Sequence, residues 1–384
     1  MNVELKVVTA ITLGVALAAG CGGDDESPAA DAGVSADAAG DGPDAAGPDA
    51  SGPSARVWAV GADYMAGVGV LSTVDLPSLA VTKNAVAGVA SSDPVVRVFG
   101  DRVYVINRFG FDNVTIIDRL TGTLIDQIST GANTNPQDVA VKGDTIYVAA
   151  LGAGEVIVLD AANPDAAPGA IDISSYDTDG VPDATSIYLV GDKLLVAVGL
   201  LDADFVSHGG KVIVIDTTDD TVVGDFDLTH RNPVGWLQPR GADELVIATA
   251  ENPFQPTTSP GCLERIDVSG TPKAAGCLAD NSSLGGTVAG YAAVGDTVYA
   301  AITTSDSFDA GKLVAITDAG VSNDSLTAAS VQPGDVAACP TGEIVISDRA
   351  AGGLRVYGSD GDELTSDAID IGLPPAFANG IACR

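Results

Sequence analysis

A Gly-Asp pair recurs along this chain at a spacing that few folds accommodate. It stands at Gly100-Asp101, Gly143-Asp144, Gly191-Asp192 and Gly295-Asp296. Gly241-Ala242-Asp243 and Thr341-Gly342 hold the same place in two further units. The spacings are 43, 48, about 50, about 54 and about 46 residues. After each mark comes a short Val/Ile-rich run, then a loop, then a second run that usually closes on Asp or Thr. Short apolar runs between Gly, Asp, Asn and Pro read as strands. A period of forty-odd residues built from such runs is the length of one four-stranded propeller blade.

The unit with the fewest additions places strand a at 138–141, b at 145–150, c at 155–160 and d at 170–173. Equivalent b and c runs follow at 102–107 with 113–118, 193–199 with 211–216, and 244–250 with 262–267. Two more occur at 297–303 with 312–317 and 343–347 with 353–357. A first unit, 56–61 with 68–75, has no strand a ahead of it. The last residues, Asn379-Gly380-Ile381-Ala382-Cys383, repeat the strand a of the preceding unit, Gly334-Asp335-Val336-Ala337-Ala338-Cys339, and both follow proline. The tail therefore supplies the missing strand beside Trp58. Closure also removes two open sheet edges. The expectation is an all-β, seven-bladed β-propeller over 56–384, its ring closed by the C-terminal strand pairing into the first blade.

The motifs Arg102-Val103-Tyr104-Val105-Ile106-Asn107, Val114–Asp118, Thr121-Gly122-Thr123 and Asn135-Pro136-Gln137-Asp138-Val139-Ala140-Val141 resemble the YVTN-type β-propeller repeat. The likeness is strongest over 94–160, and the blade at 232–279 departs most from it. It implies a propeller and no particular activity, since the family spans surface-layer proteins, extracellular binding proteins and some enzymes.

The formal charge is −34, from 18 basic and 52 acidic residues. The first 55 residues hold one lysine and nine acids, leaving −26 on the remainder. Such a field repels nucleic acid and anionic lipid surfaces. Residues 1–20 read as an export signal, with an apolar core of thirteen residues at 7–19, short for a bilayer span. Leu17-Ala18-Ala19-Gly20-Cys21 resembles a bacterial lipoprotein lipobox. That implies acylation of Cys21, membrane attachment, and a place in the bacterial cell envelope facing periplasm or exterior. Residues 21–55 are, after Cys21, Asp, Ala, Gly, Pro and Ser with one glutamate, Glu26, and one larger aliphatic, Val34. They are expected to be a disordered acidic tether.

Four further cysteines, an even number in an exported chain, favour disulfides. Cys262 opens a strand c and Cys277 lies in the following strand d, which suits one pair. Cys339 and Cys383 end the strands a of neighbouring blades, which suits another. No Cys-x-x-Cys occurs, which argues against zinc.

In a propeller the b–c loops and d–a links share one face. Three consecutive b–c loops are long, at 200–210, 251–261 and 304–311. They bring Asp202, Asp204, His208, Glu251, Asn252, Phe254, Asp306, Phe308 and Asp309 to one side, with the link His230-Arg231-Asn232 between them. Aromatics among polar groups on loops make a candidate binding face. Asp138 and Asp335 head strands a near the axis. They are candidate calcium ligands or caps for free backbone donors. Asp177, Asp179 and Asp183 surround Gly180 as in a calcium loop but lack a closing bidentate Glu, so Asp-Gly turn chemistry competes. There is no His-Glu-x-x-His, nucleophile elbow or phosphate loop. Trp58 and Trp236 read as core. Two functions follow: a surface-anchored module binding a protein or glycan without catalysis, or a calcium-assisted hydrolase or lactonase. A purely structural role in an envelope layer is a third.

Overall fold

The computed structural model describes residues 55–322 and 324–384. The expectations for the signal, for Cys21 and for the tether fall outside these residues. Among the described residues, seven antiparallel sheets form a ring of blades. Blade 2 is typical, with strands Pro94–Phe99, Arg102–Asn107, Asn113–Asp118 and Leu124–Ser129 from axis to rim.

The periodic glycines have a simple cause. Gly100, Gly143, Gly191, Gly241 and Gly295 all turn from strand a to strand b at φ between 55° and 66°, a left-handed conformation that costs glycine little. Each central strand is covered on both faces by a neighbouring blade. Its two sets of side chains therefore enter different cores. Tyr104 and Ile106 pack with Val139, Ile146 and Ile157 of blade 3. Val103 and Val105 pack with Trp58, Val60 and Leu71 of blade 1. Burial of each large aliphatic contributes about 1.5–3 kcal/mol. This is why the central strands read as unbroken apolar runs, while the outer strand Leu124–Ser129 is mostly exposed.

The ring closes as expected. Ile381–Cys383 pairs antiparallel with the first strand, Ala55–Asp63, setting Ala59 opposite Ile381, Trp58 opposite Ala382 and Val57 opposite Cys383. Backbone bonds from Val60 N–H to the Gly380 carbonyl (2.9 Å) and between Arg56 and Arg384 extend the seam. Blade 7 differs from the others in having three strands. Isolated bridges, Leu354 to Ile369 and Tyr357 to Glu363, stand in for its outer strand. The segment 358–372 holds five acids and three glycines, residues poorly suited to a pleated surface. Both expected disulfides form, Cys262–Cys277 and Cys339–Cys383. No helix among the described residues is long and apolar enough to cross a membrane.

Candidate functional site

The three long b–c loops stand side by side and are joined to one another. In the first, Asp202 folds the loop on itself. Its carboxylate accepts the N–H groups of Asp204 (2.9 Å) and Val206 (3.0 Å) and meets His208 Nε2 at 2.8 Å. The hydrogen bond from His208 is the main reason the Asp202 carboxyl sits below its ordinary range. Arg231, on the link to blade 5, donates to the Ser207 carbonyl (3.1 Å) and to Glu251 Oε2 (2.5 Å). That bond lowers the Glu251 pKa, and His230 Nδ1 lies 3.7 Å from the other Glu251 oxygen. In the second loop Asn252 accepts the Phe254 N–H (3.2 Å), and Phe254 is exposed. Thr257 then bridges to the third loop through the Asp306 carboxylate (2.8 Å). Ser305 holds Asp309 (2.5 Å), and Gln332 donates to the Asp309 carbonyl. Phe308 stacks edge-on with Phe377, whose ring lies under the Arg349 guanidinium. Arg349 was not singled out by sequence; its Nε and Nη2 are buried without a protein partner.

Asn232 departs from the expectation of an exposed binding residue. It is buried, sits at φ 57°, and donates to the Ala250 carbonyl at 2.8 Å. Asn135, Asp183 and Asn379 hold the matching position in other blades with φ between 48° and 60°. Asn and Asp tolerate that conformation, so this position shapes the d–a link.

The axial carboxylates are occupied by the ring itself. Irregular register at the heads of strands a turns these side chains toward the next blade. Asp138 is fully buried. It takes Arg97 Nε and Nη2 (2.7 Å each), Val139 N–H (2.8 Å), Ser186 Oγ–H (2.9 Å) and Ile187 N–H (3.0 Å). Five donors leave no lone pair for a calcium ion. Ser186 repeats the device one blade on, its Oγ accepting the Leu237 N–H (2.7 Å). Asp335 accepts Gly380 N–H (2.7 Å) and Ile381 N–H (3.1 Å), and so holds the closing strand. A Cβ at Gly290, in blade 6, would lie 2.7 Å from Asp335 Oδ1, so only glycine fits there.

Desolvation pushes Asp335 up to about 6. Its folded pKa exceeds its unfolded one, so its contribution to stability is full below the unfolded value and is lost as pH rises through about 6. Asp335→Asn is expected to flatten that fall between about pH 4 and 6, a difference of roughly 2–3 kcal/mol in denaturant titrations. An unchanged slope would reject the assignment.

Asp177, Asp179 and Asp183 do not form a calcium loop. Asp177 accepts the N–H of Thr178 (2.5 Å), and Asp179 accepts the N–H of Val181 (2.9 Å) as in an Asx turn. Asp183 is buried and accepts the Leu201 N–H (2.7 Å). Among the described residues one group of donors lies close enough to share an ion: His230, Cys262, Cys277 and Asp280, within 4.8 Å. Two of the four are the joined sulfurs of a disulfide. Thiolate is the metal-binding form of cysteine, so two ligands remain.

A second concave feature lies on the axis. Trp236 crosses from blade 5, donates its indole N–H to the Gln137 carbonyl of blade 3 (3.2 Å), and lies 3.7 Å from the Arg97 guanidinium of blade 2. Arg97, Trp236 and Asp138 plug the channel. Between this plug and the a–b turns is a cavity of about 430 Å³. It is walled by strands a, including Phe99, Tyr188, Gln238, Ala293 and Ala338, and by the Cys339–Cys383 bridge. Sequence reasoning did not single out Arg97. Its one signal is a charge inside the otherwise apolar strand Pro94–Phe99.

No family model matches the sequence, and no curated protein matches it. Solved structures do match. A functionally unknown protein from Desulfotomaculum acetoxidans has 12% identity and a TM-score of 0.56, covering 85% of this chain and 98% of its own. AztD from Citrobacter koseri has 13% identity and a TM-score of 0.51, covering 86% and 98%. A catalytically inactive virginiamycin B lyase from Staphylococcus aureus with quinupristin has 11% identity and a TM-score of 0.51, covering 73% and 85%. At these identities the likeness is one of fold.

Proposed function

We propose that this chain is a cell-envelope lipoprotein, attached through Cys21, whose YVTN-type propeller binds a protein or glycan partner without catalysing a reaction. The observation that carries the binding reading is the joined rim. Ser207, Arg231 and Glu251 connect the first long loop to the second, and Thr257 and Asp306 connect the second to the third. Loops held in one shape before contact lose less entropy on binding. The rim also carries exposed Phe254 and Phe377 among polar groups, a mixture that suits a partner surface. Two disulfides fit an oxidising compartment outside the cytoplasm, as the signal and the lipobox require. The two axial acids on which a calcium-assisted hydrolase would rely, Asp138 and Asp335, instead accept donors from neighbouring blades.

Capture from envelope extract and binding to a glycan array, each compared with a protein whose 200–210 and 251–261 loops are cut to blade-3 length, test the rim. We expect the shortened protein to lose the captured species while its melting temperature moves by a few degrees at most. Equal capture by both proteins would remove the rim from the proposal.

A further inference from the structure

We infer that the axial cavity is a second binding site, for a flat aromatic small molecule that is uncharged or carries one negative charge. It lies at the opposite end of the ring from the long-loop rim. Its volume, about 430 Å³, falls within the range of small-molecule pockets, about 300–1,000 Å³. The plug makes it blind. Asp138 takes the Nε and Nη2 donors of Arg97, Ser186 and Leu237 continue the network, and Tyr291 Oη–H donates to the Trp236 carbonyl. A floor cross-linked between blades in this way is rigid.

The lining separates by chemistry. Phe99, Tyr188 and Trp236 supply aromatic surface, while alanines from blades 1, 6 and 7 supply flat wall and leave the room. Aromatic side chains and small flat walls together suit a planar ring. Two polar groups point to recognition. The Tyr188 hydroxyl has no hydrogen-bond partner among the described residues. Gln238 spends its amide N–H on the Tyr291 carbonyl (2.6 Å), which leaves its oxygen to accept from a ligand.

The charge preference follows from what the wall omits. The protein carries 52 acids, yet among the described residues no Asp or Glu lines the cavity, whose ionic groups are Arg97 and Arg384. Arg97 is neutralised by Asp138, and Arg384 stands exposed at the a–b end. A cation would find no carboxylate to replace its lost hydration. A neutral ring loses little on burial, and a single anion meets Arg384.

The test is calorimetric titration of the full chain with three probes sharing one ring: naphthalene-2-carboxamide, naphthalene-2-carboxylate and 2-naphthylmethylammonium. The amide and the carboxylate are expected to bind one per chain, and the ammonium at least about tenfold more weakly. Ala293→Phe and Ala382→Phe fill the cavity from blades 6 and 1. Each is expected to weaken the amide at least about tenfold in protein that still melts cooperatively. Tyr188→Phe removes one hydroxyl at no cost in packing, so it reports even if both filled variants fail to fold. It is expected to weaken the amide about threefold to tenfold. The protein with shortened 200–210 and 251–261 loops should bind the probes as the parent does, which keeps this site separate from the rim. Three results would each overturn the inference: no binding of any probe at millimolar concentration, equal binding of the ammonium, or folded Phe variants with parental affinity.

Discussion

Replacing Cys339 and Cys383 together by serine should produce one of the two largest stability losses available to single-site chemistry in this protein. The bridge spans 44 residues. In the chain-entropy treatment a loop of that length is worth about 4 kcal/mol. For a domain of this size that is a fall in melting temperature of about 5–8 °C. The loss should also be local first. The closing strand Ile381–Cys383 has three residues, paired to the first blade by three partners, and apart from the bridge it is held by Asp335 and by the backbone bonds at Arg56 and Val60. Hydrogen exchange should quicken at Arg56 and Val60, whose N–H groups bond to Arg384 and Gly380, before it quickens in blades 3 to 5. The Cys262/Cys277 double serine variant is the control. Its bridge spans 15 residues within one blade, worth about 3 kcal/mol, and it should leave exchange at Arg56 and Val60 unchanged. If both variants protect those amides equally, the tail does not close the ring through Cys383.

Arg97→Ala should match or exceed that effect. It removes both donors that Arg97 gives to the fully buried Asp138 and takes the guanidinium off Trp236. Breaking a buried pair by removing one partner typically costs about 3–5 kcal/mol. Three donors, from Val139, Ser186 and Ile187, stay on Asp138, so the lower half of that range is expected. Arg97→Met combined with Asp138→Asn should recover more than half of the loss, because a neutral pair of similar shape needs no counter-charge. A double-mutant cycle in urea gives the coupling directly. Additive losses would mean that Arg97 and Asp138 act separately and that the plug is held by Trp236 alone.

The long-loop rim and the axial plug show why part of the site was readable in the sequence and part was not. Loop length is a local property. The three long loops and their acids, aromatics and histidines could therefore be placed on one face before any coordinates. Their partners could not. Asp306 meets Thr257 across 49 residues and Trp236 meets Gln137 across 99, and no periodicity announces either contact. Asp138 shows the same limit from the other side. A carboxylate at the head of a strand near the axis can serve as an ion ligand, but more often caps free backbone donors. The choice depends on how many donors the next blade aims at it, which the bulge in its own strand decides. Among the binding-face candidates, Asn232 lies buried: a link residue's left-handed φ, which draws its side chain inward, leaves no mark beyond the choice of Asn. The gathering of His230, Cys262, Cys277 and Asp280 was invisible for a related reason, since only folding brings positions so unevenly spaced together.

Strand order, blade number, the closing of the ring by its own tail and the pairing of four cysteines all followed from residue order. Each is set by the alternation of apolar and turn residues and by which sheet edges would otherwise stay open, and those are properties of neighbours along the chain. The plug, the blind cavity behind it and the joining of the loops into one rim belonged to the tertiary structure. They depend on side chains that reach across the ring, and the distance across the ring is fixed only once all seven blades have packed.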